Sequence, residues 1–115
     1  MAETVRIINL EQGMPLVEEA RKRLLDELKK AKTSGCKAIK IIHGYGSSGV
    51  GGKIKPAVHR SLAMRKREGG IREYVPGEDW EVFDERARRL LDEIQQLRKD
   101  SDLGKANPGI TMVLL

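Results

Sequence analysis

Ile39-Lys40-Ile41-Ile42-His43-Gly44-Tyr45-Gly46-Ser47-Ser48-Gly49-Val50-Gly51-Gly52-Lys53-Ile54-Lys55-Pro56-Ala57-Val58 runs from an apolar, mostly β-branched segment through five glycines in nine residues. It ends in apolar positions at helical spacing, Ile54, Val58 and Leu62. That order reads as strand, glycine loop and helix, a unit whose unpaired backbone N–H groups can cradle an anion at the helix start. Glycine loses the most freedom on folding, so a loop this rich in it suggests close approach of a ligand as well as a wide turn. Lys53 and Lys55 in the first helical turn oppose the macrodipole, a penalty that a bound anion would turn into an attraction.

The surrounding charge fits such a ligand. Residues 28–67 carry eleven Lys and Arg and no acid, while the rest of the chain sets eleven Lys and Arg against seventeen Asp and Glu. A basic sector points to a polyanion such as nucleic acid, or more blandly to solvated helix faces. The 115 residues are read as one domain, 1–115, large enough to bury a core without disulfides. The single cysteine, Cys36, can form neither an internal bridge nor a Cys-rich zinc site, and no residue is assigned to a metal. The apolar runs are too short to span a bilayer, and Met1 to Leu16 lacks a basic n-region and an apolar h-region, so no membrane partner and a cytoplasmic location are expected. Cofactor use and oligomeric state stay open.

Outward from the central unit, Val5 to Leu10 reads as a strand, and Leu16, Ala20, Leu24, Leu28 and Ala31 make the stripe of a helix begun near Pro15 and stopped at Gly35. After a short helix of about three turns starting near Gly52, Gly69-Gly70 breaks the chain and Ile71 to Val75 is a third strand. Phe83, Ala87, Leu90, Ile94 and Leu97 predict a helix over 79–98. Ile110 to Leu115 is a last strand, apolar enough to need cover on both faces. Alternating strands and helices give an α/β sandwich, and periodicity alone suggests an all-parallel βαβαβαβ chain.

Gly44-x-Gly46-x-x-Gly49 formally fits a dinucleotide fingerprint, but the chain is short for that fold and no acid closes the following strand in the right place. A Walker loop fails by register, since Ser47 and Ile54 stand where Gly and Ser or Thr are required.

His43-Gly44-Tyr45-Gly46, a loop of small residues and Lys53 to Leu62 resemble the second signature of the small MutS-related (Smr) domain, in which an HGxG turn precedes a helix. The ending Asn107-Pro108-Gly109-Ile110 to Leu115 is similar to that family's closing glycines and final strand. The resemblance implies a two-layer βαβαββ sandwich with a four-stranded mixed sheet, the first three strands parallel and the last antiparallel, here with an additional helix before the last strand. It also implies nucleic-acid binding, often with DNA or RNA endonuclease activity. The family's first signature, DLHG, is replaced: Asn9 stands for its Asp and Glu11 for its His, so cleavage is expected to be weakened or lost while binding remains.

His43 is the candidate catalytic residue, as general acid or base or as a phosphate donor, and Glu11 the weaker candidate for its partner. Asn9 can orient a neighbour but carries no charge. Gly44, Tyr45, Gly46, Ser47, Ser48 and Gly49 are the candidate phosphate loop, with Tyr45 able to stack on an unpaired base. Lys53, Lys55, Arg60 and Lys66 are the candidate contacts to a nucleic-acid backbone, DNA or RNA, which give affinity and salt dependence without reading sequence. Arg65 and Arg67 extend that basic set, and His59, one turn after Lys55, either joins it or is a surface residue with no role. Arg86, Arg88 and Arg89 hint at a second anion site. The competing reading is a module that binds a small phosphorylated ligand, a dinucleotide or a protein through the same loop.

Overall fold

The computed structural model describes residues 4–13, 16–44 and 51–115. Among these described residues, four strands and three α-helices follow in the order β1 (Val5–Asn9), α1 (Val17–Thr33), β2 (Ala38–Ile42), α2 (Gly51–Arg67), β3 (Glu73–Pro76), α3 (Glu85–Glu93) and β4 (Ile110–Leu114). Short 3-10 turns at Gly77–Asp79 and Gln95–Lys99 flank α3. The sheet order is β1-β2-β4-β3, with β1 parallel to β2 and β4 antiparallel to both β2 and β3. The first three strands therefore share one direction, and the last inserts between two of them, as the resemblance implied.

Alternation along the strands sends side chains to two cores. Ile8, Ile39, Ile41 and Val113 meet Ala20, Leu24, Leu28 and Ala31 of α1 and Ile54, Val58 and Leu62 of α2, the expected sandwich. Ala38, Val75, Met112 and Leu114 point the other way, onto Trp80, Ala87, Leu90, Leu91, Ile94 and Leu97 of segment 77–109. All five residues of β4 are buried, which is why the strand carries so little polarity. Among the described residues no helix is long and apolar enough to cross a membrane.

Two expectations need correction. The predicted helix 79–98 is interrupted at both ends. The Asp84 carboxylate accepts the backbone N–H groups of Arg86 and Ala87 and starts α3 only at Glu85, while Ile94 takes an extended backbone, φ −129° and ψ 91°. Local capping wins over the apolar period: Phe83, placed on the stripe, is 85% exposed, and Trp80 fills the core instead. Helix α2 does begin beside Gly52, but it runs 17 residues rather than three turns. Pro56 thus lies past the first turn, and its ring leaves the Gly52 carbonyl without the usual helical donor. The Pro15 start of α1 falls outside the described residues.

Candidate functional site

The carboxyl ends of β1 and β2 lie side by side, so the residues after them converge. Leu10 N–H donates to the Ile42 carbonyl at 2.8 Å, extending the pairing to the strand ends. Both the His43 and the Gly44 N–H then donate to the Gly109 carbonyl, at 2.9 and 3.0 Å, tying the loop entrance to the turn before β4. Gly44 has φ +72°, a conformation side chains rarely adopt, and a β-carbon there would come within 2.7 Å of Glu11 Oε1. Glu11 therefore lies against the loop entrance. Asn9 turns back locally, its Oδ1 accepting the Glu11 N–H at 2.8 Å. Neither Asn9 nor Glu11 is hydrogen-bonded to His43. Tyr45, Gly46, Ser47, Ser48 and Gly49 lie outside the described residues.

His43 is fully buried, with both ring nitrogens engaged. Nδ1 lies 2.6 Å from the Gly44 carbonyl and Nε2 2.8 Å from Thr111 Oγ1. A carbonyl only accepts, so Nδ1 carries the hydrogen and, in the neutral ring, the Thr111 hydroxyl donates to Nε2. The same hydroxyl oxygen lies 3.0 Å from His59 Nε2, leaving it as acceptor for His59 Nε2–H. The two rings sit edge to face, centroids 5.8 Å apart, and Tyr74 lies 6.1 Å beyond His59. Burial drives the His43 pKa down to about 4; the Gly44 carbonyl acts against this, and His59 and Lys55 add to it. His59 is also lowered, by burial and then by Lys55, with Glu78 opposing.

Acid stability should record this pair. The unfolded imidazole binds its proton near pH 6.5 and the folded His43 only near 4, so stability is whole above pH 6.5 and falls as pH drops toward 4. The full loss from His43 is on the order of 3 kcal/mol. Urea titrations between pH 7 and 5.5, above the ordinary carboxylate range, isolate the histidines. His43→Gln should flatten that dependence; an unchanged slope would mean that the ring is not held neutral.

The cations divide. Lys53 and Arg60 are exposed and carry no ion pair among the described residues. Lys55 Nζ sits 2.6 Å from Glu78 and Lys66 Nζ 2.8 Å from Glu73. Lys66 is eleven residues beyond Lys55 on the same helix, about 16 Å along its axis, and does not join the loop entrance. Arg86 is held by Asp79 and Asp84 at 2.9 and 3.0 Å, so of the suggested second anion site only Arg88 and Arg89 remain exposed. Sequence reasoning missed Thr111 as the bridge, and left His59 undecided. The signal for Thr111 was one polar residue inside an otherwise apolar strand.

A family model described as the Smr domain matches residues 12–79. Among solved structures the fold is similar to the Smr domain of Thermus thermophilus MutS2, with a TM-score of 0.59 and 19% identity over 96% of each chain. No curated protein sequence matches. With the family model covering more than half the chain, from the end of β1 to the turn after β3, and the sheet order resting on the same architecture, the chain belongs to the Smr domain family, whose members generally bind nucleic acid and in some cases cleave it.

Proposed function

We propose that this domain binds nucleic acid through its sugar-phosphate backbone at the amino end of α2, with cleavage weak or lost. The observation that carries this reading is the start of α2. Its first turn contains no acid and carries Lys53, with Lys55 one residue beyond that turn, although the macrodipole there favours negative charge. Phosphate at that point meets helix N–H groups, Lys53 and, once Glu78 is displaced or screened, Lys55. Gly44, Tyr45, Gly46, Ser47, Ser48 and Gly49 supply the loop, Arg60 extends the contact along the helix, and Lys66 serves at most a separate part of a long ligand.

Cleavage needs a base or a metal to prepare the nucleophile and donors for the developing charge. Asn9 cannot act as a base, and His43 has no free nitrogen in this arrangement. Glu11 remains as the ionisable group at the loop entrance, so it is the residue through which hydrolysis would have to be recovered.

The test is binding of a long single strand as a function of salt. Lys53→Glu with Lys55→Glu should weaken binding and reduce the slope of log affinity against log salt by about 1.4, near 0.7 per phosphate contact on a single strand. A slope unchanged by the double substitution places the binding surface elsewhere; binding to inorganic phosphate but not to the strand would favour the small-ligand module. In a separate cleavage assay the wild type should cut structured DNA and RNA slowly or not at all. Rapid cutting abolished by His43→Ala would overturn the assignment of weak catalysis.

A further inference from the structure

The bridge through Thr111 fixes more than His43. Gly44 is a carbonyl acceptor, so His43 carries its proton on Nδ1; His43 Nε2 is then an acceptor, so the Thr111 hydroxyl is spent as donor; and Thr111 can only accept from His59 Nε2–H. The remaining nitrogen of His59, Nδ1, is left with a lone pair and, among the described residues, no hydrogen bond. His43 is fully buried, whereas His59 is only partly so. Lys55 precedes His59 by one helical turn and Glu78 lies against Lys55, while Tyr74 flanks the ring.

A bare imidazole nitrogen repels phosphate oxygens, which also present only lone pairs. Beside a bound sugar-phosphate chain, the group it fits is a hydroxyl. We propose that His59, rather than His43, is the imidazole that meets the ligand, and that its Nδ1 accepts a hydrogen bond from the ribose 2′-hydroxyl of an RNA strand. Thr111 and His43 are positioning residues that hold His59 in the accepting tautomer. The proposal rests on the nucleic-acid reading above and adds a sugar preference to it.

The experiment compares three single strands of one sequence at fixed salt: RNA, DNA and 2′-O-methyl RNA, which keeps the 2′-oxygen but cannot donate. The wild type should favour RNA over both others by about fivefold, the effect of one neutral hydrogen bond. His59→Phe should level the three while retaining salt-dependent binding to DNA. Nitrogen-15 spectra of the free protein should show hydrogen on His43 Nδ1 and His59 Nε2, and Thr111→Val should remove the fixed tautomer of His59 together with most of the RNA preference. Equal affinity of wild type for the three strands overturns the inference and leaves the nucleic-acid reading intact, as does a preference that survives His59→Phe. Salt-independent or absent binding to all three removes both. If Thr111→Val fails to fold, the His59→Phe comparison and the wild-type spectra decide alone: hydrogen on His59 Nδ1 refutes the proposal.

Discussion

Replacing Lys40 by alanine is expected to destabilise the domain by roughly 3–5 kcal/mol, the cost of leaving buried charge without its partner. Lys40 stands in the middle of β2 and faces the second core, where it is 7% exposed. Its ammonium lies 2.7 Å from Asp100 and 2.6 Å from Asp102. Asp100 also accepts the Trp80 indole N–H at 3.0 Å, and Asp102 accepts from Asn107 at 2.9 Å. One amine thus pins three parts of segment 77–109 to the sheet, and its loss leaves two carboxylates facing each other over an apolar surface. Burial works against the Lys40 charge, but the two carboxylates outweigh it and raise its pKa; Asp102 is held low by Lys40 and then by Asn107. The signs follow: the lysine's contribution is whole below its ordinary value of 10.5 and fades as pH rises through the raised value, while the Asp102 contribution is whole above 3.8 and fades as acid reaches the lowered one. Urea unfolding followed by tryptophan fluorescence measures the loss. The exposed pair Arg98–Asp92 is the control, since Arg98→Ala should change stability by less than about 0.5 kcal/mol. Equal effects of the two substitutions would mean that the Lys40 cluster is no more than a surface pair.

That cluster also shows where sequence reading stops. The apolar stripes of α1 and α2 and the four strands were legible because each faces one core with one period, and period is a property of sequence. Lys40 breaks no pattern that a solvated charge would not break equally; only the fold brings Asp100 and Asp102, sixty residues on, to the same point. Segment 77–109 misled the periodic reading for a related reason. Trp80, Phe83 and Ala87 keep a helical spacing, yet Asp84 caps the chain inside that run, and a cap is one residue against a periodic run of about twenty.

The candidate site divides along the same line. The strand–loop–helix order, the position of α2 and the lysines after the loop are local features and were readable from His43 to Val58. The approach of Glu11 to Gly44 followed from one topological assumption, that β1 and β2 are neighbours, and the parallel pairing supports it. The hydroxyl bridge was not readable, because Thr111 lies sixty-eight residues from His43 and reaches it only because β4 inserts between β2 and β3. A histidine that looked like a phosphate donor in sequence is, in the fold, the buried inner member of a histidine pair.

Gly77→Ala is expected to cost at least about 3 kcal/mol, more than ordinary overpacking, because the added atom meets backbone rather than a movable side chain. A β-carbon at Gly77 would lie 1.8 Å from the Asn107 carbonyl oxygen and 2.8 Å from both Ile110 Cγ1 and the Ile110 carbonyl oxygen. Gly77 leaves β3 just after Pro76, which pairs with Thr111, and just before Glu78, which holds Lys55. Relief of the clash must therefore move either the start of β4, carrying Thr111 and the Gly109 carbonyl that anchors His43 and Gly44, or the turn that carries Glu78. Stability and ligand binding should fall together. Gly35→Ala separates this from the general cost of replacing a glycine: nothing lies within 4 Å of a β-carbon there, but φ is +78°, so the loss should be only about 1–2 kcal/mol of conformational strain with binding unchanged. Urea midpoints for the two variants, with single-strand binding measured well below those midpoints, make the comparison. A Gly77 variant as stable as the Gly35 variant would show that the turn yields freely, and that segment 77–109 does not fix the bridge between the two histidines.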